Sequence, residues 1–276
     1  MEKRNVKSKK WLGWALGGAA LVGLLAIACD SRPVLRIYAV ETEKLSAPVR
    51  LAVLADLHSC DYGQGQRDLL DLVEGLDPQP DAVLLAGDIV DDVLPRENAF
   101  TALEALAGQY PCFYVTGNHE YWSGQAEDIC RRIADLGVTV LRGEAAELAV
   151  NGQTITLCGI DDPESGEAAA QLAALPVEEG DYTVLLAHRP EAIGDYLQYP
   201  FDLIVSGHAH GGQWRIPGLV NGLYAPNQGW FPPYAGGLYI FESASLVVSR
   251  GLARESTRIP RIFNPPELVV IELTPA

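Results

Sequence analysis

The five histidines of this 276-residue chain are His58, His119, His188, His208 and His210. They stand in the polar groups Asp56-Leu57-His58, Gly117-Asn118-His119-Glu120, a lone His188 and Gly207-His208-Ala209-His210, and a further group without histidine, Gly87-Asp88-Ile89-Val90-Asp91, lies between them. Sets that mix carboxylate with imidazole suit Mn, Fe or Zn better than Ca or a structural cysteine–zinc site. A single histidine at the end of a strand usually makes only a structural hydrogen bond. Here every histidine in the chain falls in such a group, with three aspartates and an asparagine beside them, and that points to a metal centre. An esterase-type serine triad is left without a histidine of its own.

Each group follows an apolar run that reads as a strand. The runs are 49–56, 81–88, 112–118, 154–160, 182–188 and 201–208. They are almost continuously apolar, as strands buried on both faces tend to be. Helical patterns lie between them near 64–75, 96–108 and 124–136, so the expected class is α/β. Open α/β sheets bind ligands at the carboxyl ends of their strands, which is where these polar groups stand. After residue 210 short runs at 237–241, 244–249 and 267–273 alternate with Gly and Pro, which predicts antiparallel strands and loops.

The first ten residues carry five Lys/Arg and one Glu, and residues 11–28 carry no charge. Eighteen such residues span roughly 27 Å as a helix, close to the thickness of a bilayer core. The expected organisation is a basic tail over 1–10, a transmembrane signal anchor over 11–29, a linker and first strand over 30–48, and a catalytic domain over 49–276. A cleaved lipoprotein signal ending before Cys29 and a buried core helix are the competing readings. Five basic residues before the run against Arg32, Arg36 and Lys44 after it place the domain outside the cytoplasm of a single-pass membrane protein. The net charge is −16, and the acidic remainder argues against a nucleic-acid partner. No obligate protein partner is evident. Five cysteines without a CxxC pair suit neither a zinc ribbon nor a disulfide scaffold.

The ordered motifs DLH, GDxxD, GNHE, His188 and GHxH resemble the calcineurin-like metallophosphoesterases. The segments 159–163, 185–191, 207–213, 226–239 and 263–273 are similar to a membrane-associated bacterial branch that includes UDP-2,3-diacylglucosamine pyrophosphatase-type enzymes and exported envelope phosphodiesterases. The resemblance implies a four-layer α/β/β/α sandwich, here preceded by one transmembrane helix. It implies that Asp56, His58, Asp88 and His210 hold one divalent metal ion, and that Asp88, Asn118, His188 and His208 hold a second. His119 would then face the substrate, oriented by Asp91.

Two cations about 3.5–4 Å apart need a shared anion, and water between them becomes a nucleophile near neutral pH. His119 is placed to protonate the leaving group. The expected substrate is a phosphate ester or anhydride, cell-envelope or lipid-linked. Seven of 22 aromatic residues crowd into 214–241, among them Trp230, and Arg250, Arg254, Arg258 and Arg261 cluster further on. Arg250, Arg258 and Trp230 are therefore candidate substrate-binding residues. Asp161 and Asp162 read as a solvated loop. The alternatives are a broad phosphodiesterase or nucleotidase of the same fold, or a scaffold that has lost its chemistry.

Overall fold

The computed structural model describes residues 2–178, 180–254 and 259–276, with backbone alone for residues 2–10, 12 and 13. The chain opens with α1 (Glu2–Ala28), β1 (Val34–Thr42), β2 (Val49–Leu54), α2 (Arg67–Glu74), β3 (Ala82–Ala86), α3 (Glu97–Ala107) and β4 (Cys112–Val115). It continues through α4 (Asn118–Trp122), α5 (Ala126–Asp135), β5 (Thr139–Val140), β6 (Glu144–Val150), β7 (Gln153–Gly159), α6 (Ala168–Ala174) and β8 (Thr183–Leu186). Then come α7 (Ile193–Tyr196), β9 (Leu203–Ser206), β10 (Tyr224–Ala225), β11 (Gly229–Trp230), β12 (Gly237–Ile240), β13 (Ser245–Val248) and β14 (Glu267–Pro275).

Two six-stranded sheets result, ordered β1-β14-β2-β3-β4-β5 and β12-β13-β9-β8-β7-β6. Side chains alternate across a strand, and the core follows that alternation. Leu51, Val53 and Leu84 meet Leu157, Val184 and Val205 between the sheets. Their neighbours Ala52, Leu54, Val83 and Leu85 face outward onto α2, α3 and α5, through Leu70, Leu103 and Ile133. On the second sheet, Leu185, Ile204 and Leu246 face Leu172 of α6 and Ile193 of α7. The layers are therefore helix, sheet, sheet, helix. Both faces of the central strands are covered, which is why their sequences read as unbroken apolar runs.

The C-terminal part differs from the sequence expectation. β13 pairs antiparallel with β12 but parallel with β9, and β14 pairs parallel with β1 and antiparallel with β2. The long β1 edge strand, within the stretch expected to hold a linker and first strand, satisfies β14 on its free side. The short β10–β11 hairpin carries no alternation long enough to be read from sequence. None of the five cysteines forms a disulfide; Cys29 is exposed and the other four are buried.

Among the described residues no helix is long and apolar enough to cross a membrane, so the expected transmembrane helix is not established there. The helix itself is longer than the apolar run, taking in the basic residues as well. Trp11, Trp14, Leu16, Leu21, Leu24 and Ile27 lie exposed along it, whereas Ala28 is buried. The Ala28 carbonyl accepts the backbone N–H of Phe263 at 2.7 Å, and this bond ties the end of α1 to the domain.

Candidate metal centre

Every candidate ligand lies just beyond a strand or at the start of the next element. Asp56 and His58 follow β2, Asp88 follows β3, Asn118 opens α4, His188 follows β8, and His208 and His210 follow β9. Asp56, His58, Asp88, His208 and His210 all have positive φ, between 46° and 66°. Non-glycine residues held there cost of order 1–3 kcal/mol each and persist only where the surrounding fold imposes them. The glycines of the motifs allow the loops to close on one another. A Cβ on Gly117 would stand 2.2 Å from Asp88 Oδ1, and one on Gly87 would stand 2.5 Å from His188 Nδ1. Glu120 locks these loops: its buried carboxylate accepts the backbone N–H groups of Asp88, Val90 and Gly117 at 3.1, 2.9 and 2.8 Å.

The side chains converge into two groups that could each hold a metal ion. One is Asp56, His58, Asp88 and His210; the other contains Asp88, His188 and His208. Asp88 belongs to both. Its Oδ2 lies 3.6 Å from His58 Nε2 and 3.2 Å from His188 Nε2. His58 Nε2, Asp88 Oδ2, Asn118 Oδ1 and His188 Nε2 are all buried without a hydrogen-bond partner. Orphaned buried polar atoms are costly and rare in native proteins. Four of them at one place, on the residue types that ligate divalent ions, fit a metal site.

The ligand rings are held from behind. His58 Nδ1 is 2.9 Å from Asp91 Oδ1 and His188 Nδ1 is 2.8 Å from the Ala86 carbonyl, so both rings turn Nε2 inward. Burial works against protonation of His188, but the nearby Asp88 carboxylate, and then that of Asp56, outweigh it and push its pKa up to about 10. Burial, then the charges of His188 and Arg189, drive His208 down to about 3. Burial, then the neighbouring His58 and Arg261, hold His210 well below the usual imidazole range.

His119 lies at the edge of this cluster, partly exposed, with its ring 4.2 Å from that of His58 and 4.8 Å from that of Trp122. The sequence assigned its orientation to Asp91. In the structure Asp92 is the nearer partner, at 2.7 Å from Nδ1, while Asp91 stands 3.2 Å away and bonds His58 more closely. Burial would lower the His119 pKa, but the Asp91 hydrogen bond and the charges of Asp88, Asp91 and Asp92 raise it to about 9.

The arginines depart from their expected roles. Arg250 is buried in an ion pair with Glu267 at 2.5 Å, so its guanidinium is already engaged. Arg258 lies outside the described residues. Arg261 is buried, and its Nη2 stands 3.4 Å from His210 Nδ1. Trp230 is exposed on β11, with its ring 5.5 Å from that of Tyr224. Asp161 and Asp162 are not solvated: they are buried in ion pairs with Arg142 and Arg189. The residues missed from sequence are Asp92 and Asn227, the latter 2.8 Å from His208 Nε2. Only the GDxxDD spacing hinted at Asp92, and nothing local marked Asn227.

The sequence profile of the calcineurin-like phosphoesterases matches residues 49–212, the stretch that supplies every candidate ligand. The chain belongs to this family. It is a metal-dependent phosphoesterase, a hydrolase. It is 30% identical over 233 residues to the phosphodiesterase YaeI of Escherichia coli, covering 83% of each chain. It is 29% identical over 254 residues to an uncharacterized metallophosphoesterase of Aquifex aeolicus, covering 86% of this chain and 90% of the other. Among solved structures, the NAD nucleotidase of Haemophilus influenzae superposes with a TM-score of 0.46 at 17% identity. That match covers 75% of this chain and 45% of the nucleotidase.

Proposed function

We propose that this phosphoesterase hydrolyses a phosphodiester or phosphoanhydride on an amphiphilic, cell-envelope or lipid-linked substrate, with Mn, Fe or Zn as its divalent ions. The observation that carries the hydrolytic reading is the set of four unpartnered buried atoms around Asp88. In this reading Asp56, His58, Asp88 and His210 hold one ion and Asp88, Asn118, His188 and His208 the other. Two such ions supply charge to neutralise phosphate oxygens and lower the pKa of water.

The protein's own groups do the rest. Asp88, buried and reached by histidines from both sides, sets the spacing of the two groups. His119, cationic below pH about 9, brings an N–H to the edge of the site where a leaving oxygen departs. Asp92 and Asp91 occupy its Nδ1, so Nε2 is the nitrogen that can deliver the proton. The name of the Escherichia coli relative supports the diester reading.

The amphiphilic part of the proposal rests on two features. The exposed apolar side chains of α1 need an apolar environment, and an 18-residue uncharged run beside five basic residues suits a bilayer. The exposed Trp230 and Phe231 offer a second apolar surface. The reading also places the domain on the extracytoplasmic side.

Activity assays decide between the substrate classes. Full-length protein with added Mn²⁺ is expected to hydrolyse a bis-nitrophenyl diester faster than the corresponding monoester, and a lipid-linked diphosphate faster than free pyrophosphate. Preference for the monoester or for a water-soluble nucleotide would overturn the reading. Extraction of the chain from cells without detergent would remove the membrane part of it.

A further inference from the structure

His58 and His188 both turn Nε2 toward the metal cluster, but His208 cannot do the same. Its Nε2 faces Asn227 Oδ1 at 2.8 Å. Asn227 stands in the turn between β10 and β11, with a φ of 59°. The same Oδ1 accepts from Arg189 Nη1, also at 2.8 Å. Arg189 is fixed in turn by Asp162, whose two oxygens accept its Nε and Nη2 at 2.7 and 2.9 Å. Arg189 and Asp162 are buried.

A guanidinium has only donors. The Asn227 atom that faces Arg189 is therefore the carbonyl oxygen, since a flipped amide would set N–H against N–H. That oxygen also faces His208, so His208 Nε2 carries the proton. The Nδ1 of a neutral ring then keeps its lone pair. Glu191 Oε1 is 3.8 Å from His208 Nε2, too far to replace Asn227 as acceptor.

We propose that Asn227, oriented by Arg189 and Asp162, is the positioning residue that fixes His208 as the Nε2–H tautomer and presents Nδ1 to the second metal ion. This rests on the reading that Asp88, Asn118, His188 and His208 hold that ion. The hairpin tip thereby becomes part of the metal site, with a polarity opposite to that of the other two held rings.

Nitrogen-15 spectra of the histidine rings test the tautomer directly in metal-free protein, and five histidines make assignment tractable. Wild-type His208 is expected as Nε2–H. Asn227→Leu should give a mixture of tautomers and weaken the second ion about 10–100-fold, with the first ion unchanged. Asn227→Asp keeps an acceptor and should retain both the tautomer and the second ion; it also keeps the test open if the leucine variant folds poorly. An Nδ1–H tautomer in wild type overturns the proposal. So does Asn227→Leu with an unchanged His208 spectrum and second-ion affinity. A wild-type protein that takes up only one ion overturns the underlying metal reading instead, while the spectrum still decides the tautomer.

Discussion

Asp88 Oδ1 accepts the backbone N–H of His119 at 2.8 Å, while Asp88 Oδ2 has no hydrogen-bond partner. One carboxylate thus anchors the loop that carries His119 and aims its other oxygen between two histidines. Asp88→Asn removes the negative charge shared by both metal groups. It is expected to lower the affinity for both ions, by about 10²-fold or more if the cost matches that of stripping one partner from a buried ion pair. Metal analysis after desalting checks this. Retention of two ions per chain by the variant would remove Asp88 from its shared role.

His119 should separate from the ligands in the same assay. His119→Gln is expected to keep both ions and to lower kcat roughly 10²–10⁴-fold, the usual size of general acid catalysis. The loss should shrink for a nitrophenolate leaving group, which needs little protonation. Because Asp92 is the nearer partner of His119, Asp92→Asn should lower kcat in the same leaving-group-dependent way, by a smaller factor. If His119→Gln instead strips an ion, the ring is a ligand and its assignment as proton donor fails.

The metal groups were legible because their chemistry is local. Asp56 and His58 are two residues apart, as are His208 and His210, and each pair directly follows an apolar strand. The strands were legible because both faces of β2 and β3 are buried, leaving no polar interruption. What escaped the sequence depends on contacts between distant segments. Asn227 reaches His208 across 19 residues and Arg189 across 38, through a hairpin only four residues of which are paired. Arg250 looked free because its partner Glu267 lies 17 residues away on β14. Asp91 and Asp92 are adjacent in sequence and equally acidic, so only the loop geometry could assign His119 to Asp92.

Metal binding should release a proton at His188. The Asp88 carboxylate raises the pKa of His188 to about 10 in the metal-free protein, against an ordinary value of 6.5, despite its burial. The ring is therefore cationic at pH 7, and a ligand must be neutral. Affinity for the ion held by His188 should rise about tenfold per pH unit below about pH 10 and level off above it. The stability of the metal-free protein has the converse dependence. With the folded pKa above the unfolded one, the His188 contribution is complete below about pH 6.5 and is lost as the pH rises toward 10. Calorimetry at pH 7 in two buffers of different ionisation enthalpy measures the released proton. Identical heats in the two buffers would show that His188 is neutral before the metal binds.

Trp230 tests the amphiphilic substrate without touching the metal centre. Its ring is exposed on β11, in the same hairpin as Asn227, which bonds His208, and Trp230 is not among the candidate ligands. Burying a large apolar side chain against a ligand is worth about 1.5–3 kcal/mol, or roughly a factor of ten or more. Trp230→Ala is therefore expected to lower kcat/KM on a lipid-linked diphosphate by about tenfold. A small chromogenic diester has no apolar tail to lay against that ring, and its kcat/KM should change by less than about twofold. The loss should fall on KM rather than kcat, because an exposed ring gives the same binding to substrate and transition state. Equal losses on both substrates would show either that the hairpin has moved and disturbed the Asn227–His208 bond or that Trp230 is not a substrate contact. Metal content measured on the same variant separates that outcome from recognition: a drop to one ion per chain indicates displacement of the hairpin, and two ions with equal losses would end the case for Trp230 as a substrate contact.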